Sequence, residues 1–200
     1  EAHKEGALTE VAVIAAAISI QEPRERPLDQ QAEADQMHRQ FIHPESDFLT
    51  LLNIWNAYHE QFEELKTQGS MRRFCRAHFL SFVRLREWRD IYAQIKQSLD
   101  ELGDFSWNKE PAGYEAVHRA VLSGLLSNIA RKKEHNFYQA ARAREVMLFP
   151  GSGLFQKKAP RTKNKDKGAA EDKSKTPPWL VAAEIVETSR LFARNVAQIE

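Results

Sequence analysis

The stretch "FYQAARAREVMLFP", Phe137 to Pro150, is where the reading of this chain turns from helix to strand. Upstream of it, Tyr114, Val117, Val121, Leu125 and Ile129 recur at helical spacing, which predicts a helix running from about Pro111 to Ile129. Within the quoted stretch that spacing is lost. Val146 and Leu148 alternate with other residues, and a turn near Ala143 folds the stretch into a hairpin. Downstream, "WLVAAEIVET" and "RLFARNVAQI" give two more β-like runs, joined near Ser189. Their period is ambiguous, because "AAEIVETSRLFARNVA" also fits a helix. The two short runs that already pair before them favour strands. Residues 111–200 are therefore expected to form a small antiparallel barrel or sheet behind a lead-in helix.

Working outward toward the N-terminus, the period is helical throughout. "LTEVAVIAAAISI" is apolar on nearly every face, and its alanines favour a buried helix. Pro23 and Pro27 stop it. "LDQQAEADQMHRQF" reads as a polar helix to about Phe41, and Pro44 breaks the chain again. Ser46 or Asp47 can cap the next helix, in which Phe48, Leu51, Leu52, Trp55, Tyr58, Phe62 and Leu65 share a face, with Gly69 as its end. A short helix and a long one follow. Leu85, Trp88, Tyr92, Ile95 and Leu99 form the apolar stripe of the long one, and Gly103 closes it. The chain as a whole reads as α+β, with an N-terminal helical bundle over residues 1–110 and a β domain over 111–200.

The two parts differ in charge. Residues 1–110 carry 13 Lys/Arg and 19 Asp/Glu, whereas 111–200 carry 16 and 9. A basic half beside an acidic one points to a polyanionic partner for the basic half. Most of the excess sits in one insert, 156–178, with 8 basic and 3 acidic residues. Rich in Lys with Pro, Gly, Ala and Ser, it has too little apolar surface to order itself and reads as disordered. Loop closure entropy grows slowly with length, so such an insert can persist without a role. It can also serve as a flexible cationic arm.

Several motifs fail on inspection. Cys75 and His78 stand at C-x-x-H spacing, but no second pair completes a metal site. The single cysteine excludes an internal disulfide and suits a reducing, cytoplasmic setting. "GSG" at Gly151–Gly153 lacks the Gly-Lys-Ser/Thr ending of a phosphate loop and reads as a turn. No run is long and apolar enough to predict a membrane span, and the first residues lack a leader pattern. The chain opens without Met, close to a helix, as an excised fragment would. Among cations, Arg84 and Arg86 lie off the apolar stripe of the long helix. They suit phosphate oxygens, or form a solvated face pairing with Glu87 and Asp90. "ARKK", Ala130–Lys133, falls where the lead-in helix is expected to end, where cations also favour the helix dipole. Arg142 and Arg144 flank the hairpin turn.

Six segments, in order, resemble one family. They are "SIQEPRERPLDQQAEADQMHRQF", "ESDFLTLLNIWNAY", "FCRAHFLSFVRLREWRDIYAQI", "GLLSNIARK", "LFPGSGLF" and "WLVAAEIVETSRLFARNVAQIE". Together they are similar to the C-terminal region of DEAH-box ATP-dependent RNA helicases, in particular a bacterial branch. The resemblance spans almost everything but the insert. It implies a helicase-associated, ratchet-like helical domain over 1–110 and an OB-fold, a five-stranded Greek-key barrel, over 111–200. It implies that ATP and Mg are bound by motor domains absent from these 200 residues, so that this region is non-catalytic, carries no cofactor and helps hold single-stranded RNA. The implied partners are that RNA, the enzyme's own motor domains and a protein activator. The alternative is a docking module through which partners regulate the helicase. Carried over by position, the implied RNA contacts are Arg84 and Arg86 after "HFL", Arg131 and Lys132 at the basic end of the first OB element, Ser152 in the Pro-Ser turn, and Thr188 and Arg194 in the last strands. Arg142 joins them from the hairpin. In that turn Phe149 and Gly151 depart from the family's eukaryotic members, which have His and Ser there.

Overall fold

A computed structural model describes residues 1–65, 67–157 and 176–199. The chain divides into two compact units: Glu1–His43 with Phe48–Gly124, and Pro44–Asp47 with Leu125–Glu200.

The first unit is helical. Its elements are α1 (Leu8–Ile18), α2 (Gln31–His38), α3 (Asp47–Leu65), α4 (Gln68–Ala77), α5 (Phe82–Leu102) and α6 (Tyr114–Gly124). The first residue of α3, Asp47, is grouped with the second unit. α1 packs on α5 and α6 with its alanines inward, Ala12, Ala16 and Ala17 all being buried. Trp88 of α5 is fully buried and donates its indole N–H to Val13 O of α1 at 2.9 Å. Its ring lies 5.2 Å from that of Trp55, which in turn meets Tyr92 edge-on at 4.9 Å. These rings give the unit its core, and the polar N–H that must accompany a buried indole is satisfied. Gly103 takes the left-handed conformation (φ 72°) that closes α5. Gly69 does not end α3. Thr67 caps α4 by accepting from Ser70 N at 3.3 Å, which places Gly69 in the first turn of α4.

The lead-in helix is shorter than its apolar spacing suggests. α6 stops at Gly124, a 3₁₀ turn covers Leu126–Asn128, and Ile129 opens a strand. "ARKK" is therefore not at a helix terminus and its cations have no helix dipole to answer. It lies in β1 (Ile129–Glu134), which a reading of local period alone missed. The compact units thus part at Gly124/Leu125, one helix later than the sequence division at 110/111.

In the second unit, β1 is followed by β2 (Phe137–Ala140), β3 (Glu145–Leu148), β4 (Trp179–Glu187) and β5 (Leu191–Ile199). They close into a barrel in the order β1-β2-β3-β5-β4. The hairpins 2–3 and 4–5 are those expected. One pairing departs from an all-antiparallel barrel: β3 and β5 run parallel, Met147 beside Phe192 and Leu148 beside Ala193. The long connection between β3 and β4 makes this possible, because a parallel neighbour requires a crossover. Inside the barrel, Tyr138, Val146, Leu148, Leu180, Ala193 and Val196 pack together. The segment before α3 adds to it. Gln198 N donates to Glu45 O at 2.9 Å and Ser46 bridges Ala197. Both oxygens of Asp47 accept backbone N–H groups, from Gly153 (2.9 Å) and Val196 (3.0 Å). The expectation of a disordered insert falls almost entirely on residues outside those described. Its flanks are fixed: Gln156 N donates to Asn136 Oδ1 (3.1 Å), and the Tyr138 hydroxyl donates to Pro177 O (2.8 Å). No helix among the described residues is long and apolar enough to cross a membrane.

Candidate nucleic-acid interface

In a strand, alternate side chains face opposite ways, and directly paired residues on neighbouring strands share a face. Ala130, Tyr138 and Ala140 point into the barrel. Arg131 and Gln139, which pair with each other, therefore face outward, and both are exposed. On the other side of β1, Arg131 pairs with Trp179 of β4. On the other side of β2, Gln139 pairs with Glu145 of β3. The outer surface thus carries a continuous row across four strands, Trp179–Arg131–Gln139–Glu145. Glu145 is occupied by an ion pair with Lys133. No carboxylate among the described residues reaches Arg131, so its charge faces solvent uncompensated.

Lys132, next to Arg131, turns the other way. It is half-buried and its Nζ donates to Thr176 O at 3.4 Å, so its ammonium serves the barrel wall. Arg194, on β5, is also engaged: its guanidinium lies 4.7 Å over the Phe149 ring and 3.7 Å from Glu184. Ser152 sits in the turn after β3, where its hydroxyl accepts from Leu154 N (3.1 Å) and its own N–H donates to Phe149 O (2.9 Å). A Cβ on Gly151 would stand 2.8 Å from the Phe149 ring, so glycine there lets the ring fold over the turn. With the N–H groups of Ser152 and Gly153 both spent inside the protein, the "GSG" turn does not fit a nucleotide phosphate. Thr188 is exposed in the turn joining β4 and β5, its N–H donating to Arg190 O (2.9 Å).

Arg142 stands at the exposed tip of the β2–β3 hairpin. It and Ala143 both take positive φ (59° and 56°), the pattern of a type I′ turn made without glycine. Such backbone is costly for residues with a Cβ, and it presents Arg142 outward with no ion-pair partner among the described residues.

The remaining pair lies in the helical unit. Arg84 is half-buried and donates to Glu22 O (2.7 Å) and Gln21 Oε1 (3.0 Å), tying α5 to the chain after α1. Arg86 is exposed and borders a cleft of about 820 Å³ with Arg72 and Arg76. The same cleft is lined by the carboxylates of Glu25, Glu87 and Asp90, so its lining is of mixed charge. At its floor Cys75 is buried, and desolvation pushes its thiol up to about 12, which leaves it a thiol rather than a ligand or nucleophile. No cluster of metal-ligating residues occurs among the described residues.

The structure thus gathers Arg131 with Trp179 and Gln139, which the sequence reading did not single out. Strand alternation from Trp179 was visible. Which strand it would lie beside was not.

A closed five-stranded barrel in the order 1-2-3-5-4, with a helix before it, is an oligonucleotide/oligosaccharide-binding fold. In agreement, residues 117–200 match the family model of the oligonucleotide/oligosaccharide-binding (OB)-fold. The whole chain is similar to a region of known helicases. It is 43% identical, over 100% of its length, to the ATP-dependent RNA helicase HrpA of Escherichia coli, and 41% identical, over 98%, to the HrpA homolog of Haemophilus influenzae. It is 28% identical over 98% to the probable ATP-dependent RNA helicase DHX35 of Homo sapiens. The chain spans 14% of the length of the two bacterial relatives and 24% of the human one.

Proposed function

We propose that this chain is a non-catalytic region of an ATP-dependent RNA helicase that holds single-stranded RNA through backbone contacts. In this reading residues 1–110 act as the helicase-associated helical domain and 111–200 as the RNA-holding barrel. The observation that carries it is Arg131, an exposed guanidinium on the outer wall of an OB barrel with no carboxylate among the described residues to neutralise it. A guanidinium fork suits phosphate oxygens, and such contacts position a strand without reading its sequence. Arg142, exposed on the 2–3 hairpin, is a second cation of the barrel with no ion-pair partner among the described residues. ATP and Mg belong to other segments of the helicase, and no step through them is derived for these residues.

The test is fluorescence anisotropy of a labelled single-stranded RNA against the 200-residue chain across a salt series. Wild type is expected to bind, and to weaken steeply as salt rises. Arg131→Ala is expected to weaken binding about three- to tenfold and to lower the salt slope by about one. Absence of binding by the wild type at low salt overturns the reading. A second reading, protein docking, is favoured by one observation. Phe137, Met147, Phe192 and Val186 form an apolar row across β2, β3, β5 and β4 on the barrel's outer face, none of them fully buried. Partner capture insensitive to salt and to Arg131→Ala would support it.

A further inference from the structure

We propose that Trp179 is a stacking platform for one unpaired nucleobase, with Arg131 beside it taking the adjoining phosphate. The inference rests on the RNA-holding reading and adds to it a base contact. Trp179 is 43% exposed. The chain has four tryptophans, and the other three are used internally. Trp55 and Trp88 are core residues, and Trp107 donates to Asp100 (2.7 Å) under Lys96, whose Nζ is 5.7 Å from the ring. The Trp179 indole has no hydrogen bond and no ring contact among the described residues.

A lone exposed apolar side chain needs no explanation, and Leu28 or Val83 is such a case. Trp179 differs in what surrounds it. Its backbone is held from both sides, paired with Arg131 on β1 and Ile199 on β5. The three residues before it are pinned as well. Thr176 Oγ1 donates to His135 O (2.8 Å), Pro177 O accepts from the Tyr138 hydroxyl (2.8 Å), and Pro178 O accepts from Lys132 N (2.8 Å). The ring is therefore offered from a rigid wall, and little entropy is lost when a base settles on it. Its neighbour on the same face is the uncompensated Arg131, at a cross-strand spacing of about 5 Å, within the span of one nucleotide. Gln139 follows on the next strand, with amide donors and acceptor for a base edge. An apolar flat surface beside a free cation matches a nucleotide better than it matches an apolar peptide, whose burial would leave Arg131 desolvated and unpaired. Every base has a π-face, and an indole does not sense the 2′-hydroxyl. The contact should therefore be tolerant of base and equal for RNA and DNA.

The experiment titrates fluorescein-labelled single-stranded oligouridylate and oligothymidylate, in separate salt series, with wild type, Trp179→Phe, Trp179→Leu and Trp179→Ala. Denaturation midpoints check folding. The expected result is about tenfold weaker binding of both strands by Trp179→Ala, with an unchanged salt slope because no counterion is released by stacking. Trp179→Phe should restore most of the loss and Trp179→Leu should not. Were Trp179→Ala unstable, the Phe and Leu variants alone would decide the matter. Equal binding by wild type, Phe and Leu variants overturns the platform while leaving the RNA-holding reading intact. Equal loss in the Phe and Leu variants, or a loss confined to one kind of strand, also overturns it. No binding by the wild type removes the reading and the platform together.

Discussion

The helical unit and the barrel spend their arginines differently. In the helical unit Arg24 closes on Glu22 at 2.7 Å, Arg26 on Asp35 at 2.6 Å and Arg119 on Glu5 at 2.8 Å. Arg84 donates to two oxygens after α1, and Arg89 and Arg72 lie over the rings of Phe62 (4.7 Å) and Phe82 (5.2 Å). In the barrel Arg194 is similarly used, whereas Arg131 and Arg142 face solvent with no carboxylate partner among the described residues. The helical unit is the more arginine-dense in sequence, around Arg72–Arg89, and there Arg76 and Arg86 are also exposed with no ion-pair partner among the described residues; they line a cleft shared with Glu25, Glu87 and Asp90, whereas Arg131 stands on the barrel wall beside Trp179 and Gln139. Local arginine density is therefore a poor guide to a binding face. What counts is what the fold sets beside each guanidinium.

That comparison can be broken most sharply in the cores. Trp88→Ala removes a fully buried indole and its hydrogen bond to Val13 O, and should cost the helical unit about 3–5 kcal/mol. Urea denaturation followed by helical circular dichroism would read it. In the barrel, Asp47→Ala leaves the N–H groups of Gly153 and Val196 without their shared acceptor, and should cost about 2–3 kcal/mol. A midpoint shift of the barrel signal below about 0.5 kcal/mol would show that the carboxylate is not what holds that turn to β5.

The arginines themselves should give opposite signatures. Arg84→Ala is expected to lose about 1–2 kcal/mol of stability while leaving single-stranded RNA affinity unchanged. Arg131→Ala should change stability by less than about 0.5 kcal/mol and should weaken RNA binding. If Arg84→Ala lost RNA affinity at unchanged stability, the contrast between the two units would fail.

The smallest effect is expected from pH. Burial pushes His38, His59 and His118 below the usual histidine value, opposed by hydrogen bonds at the carbonyls of Phe79, Trp55 and Tyr114. All three lie in the helical unit. On unfolding they take up protons near pH 6.5 that the folded unit refuses. Their contribution is thus complete above about pH 6.5 and is lost as pH falls through that value toward the folded ones. The helical unit should lose stability between pH 7 and pH 5. Imidazole proton shifts and denaturation midpoints at each pH would check it, and a midpoint independent of pH over that range would contradict it.

Much of this was legible in the residues. The face shared by Phe48, Leu51, Leu52, Trp55 and Tyr58, the stripe beginning at Leu85 and Trp88, and the close at Gly103 came directly from spacing. So did the hairpin turn near Ala143 and the joint near Ser189. The resemblance pointed to the OB-fold and to Arg131. It also carried Arg84, Lys132, Arg194 and Ser152, whose side chains the structure engages internally, because matching position along a chain says nothing of what stands opposite.

By itself the sequence determined the order and kind of most elements, since helical and strand periods are properties of neighbours along the chain. Tertiary structure alone decided where α6 stops. The apolar spacing from Tyr114 runs unbroken to Ile129, and it is pairing of Ile129 and Ala130 with Val181 and Leu180, about fifty residues away, that turns those residues into strand. It also decided the parallel contact of β3 with β5, the tie from Asp47, and the row that sets Trp179 beside Arg131. Period-two alternation divides a strand into two faces. Only the closing of the barrel chooses which face is outward and which distant strand lies alongside.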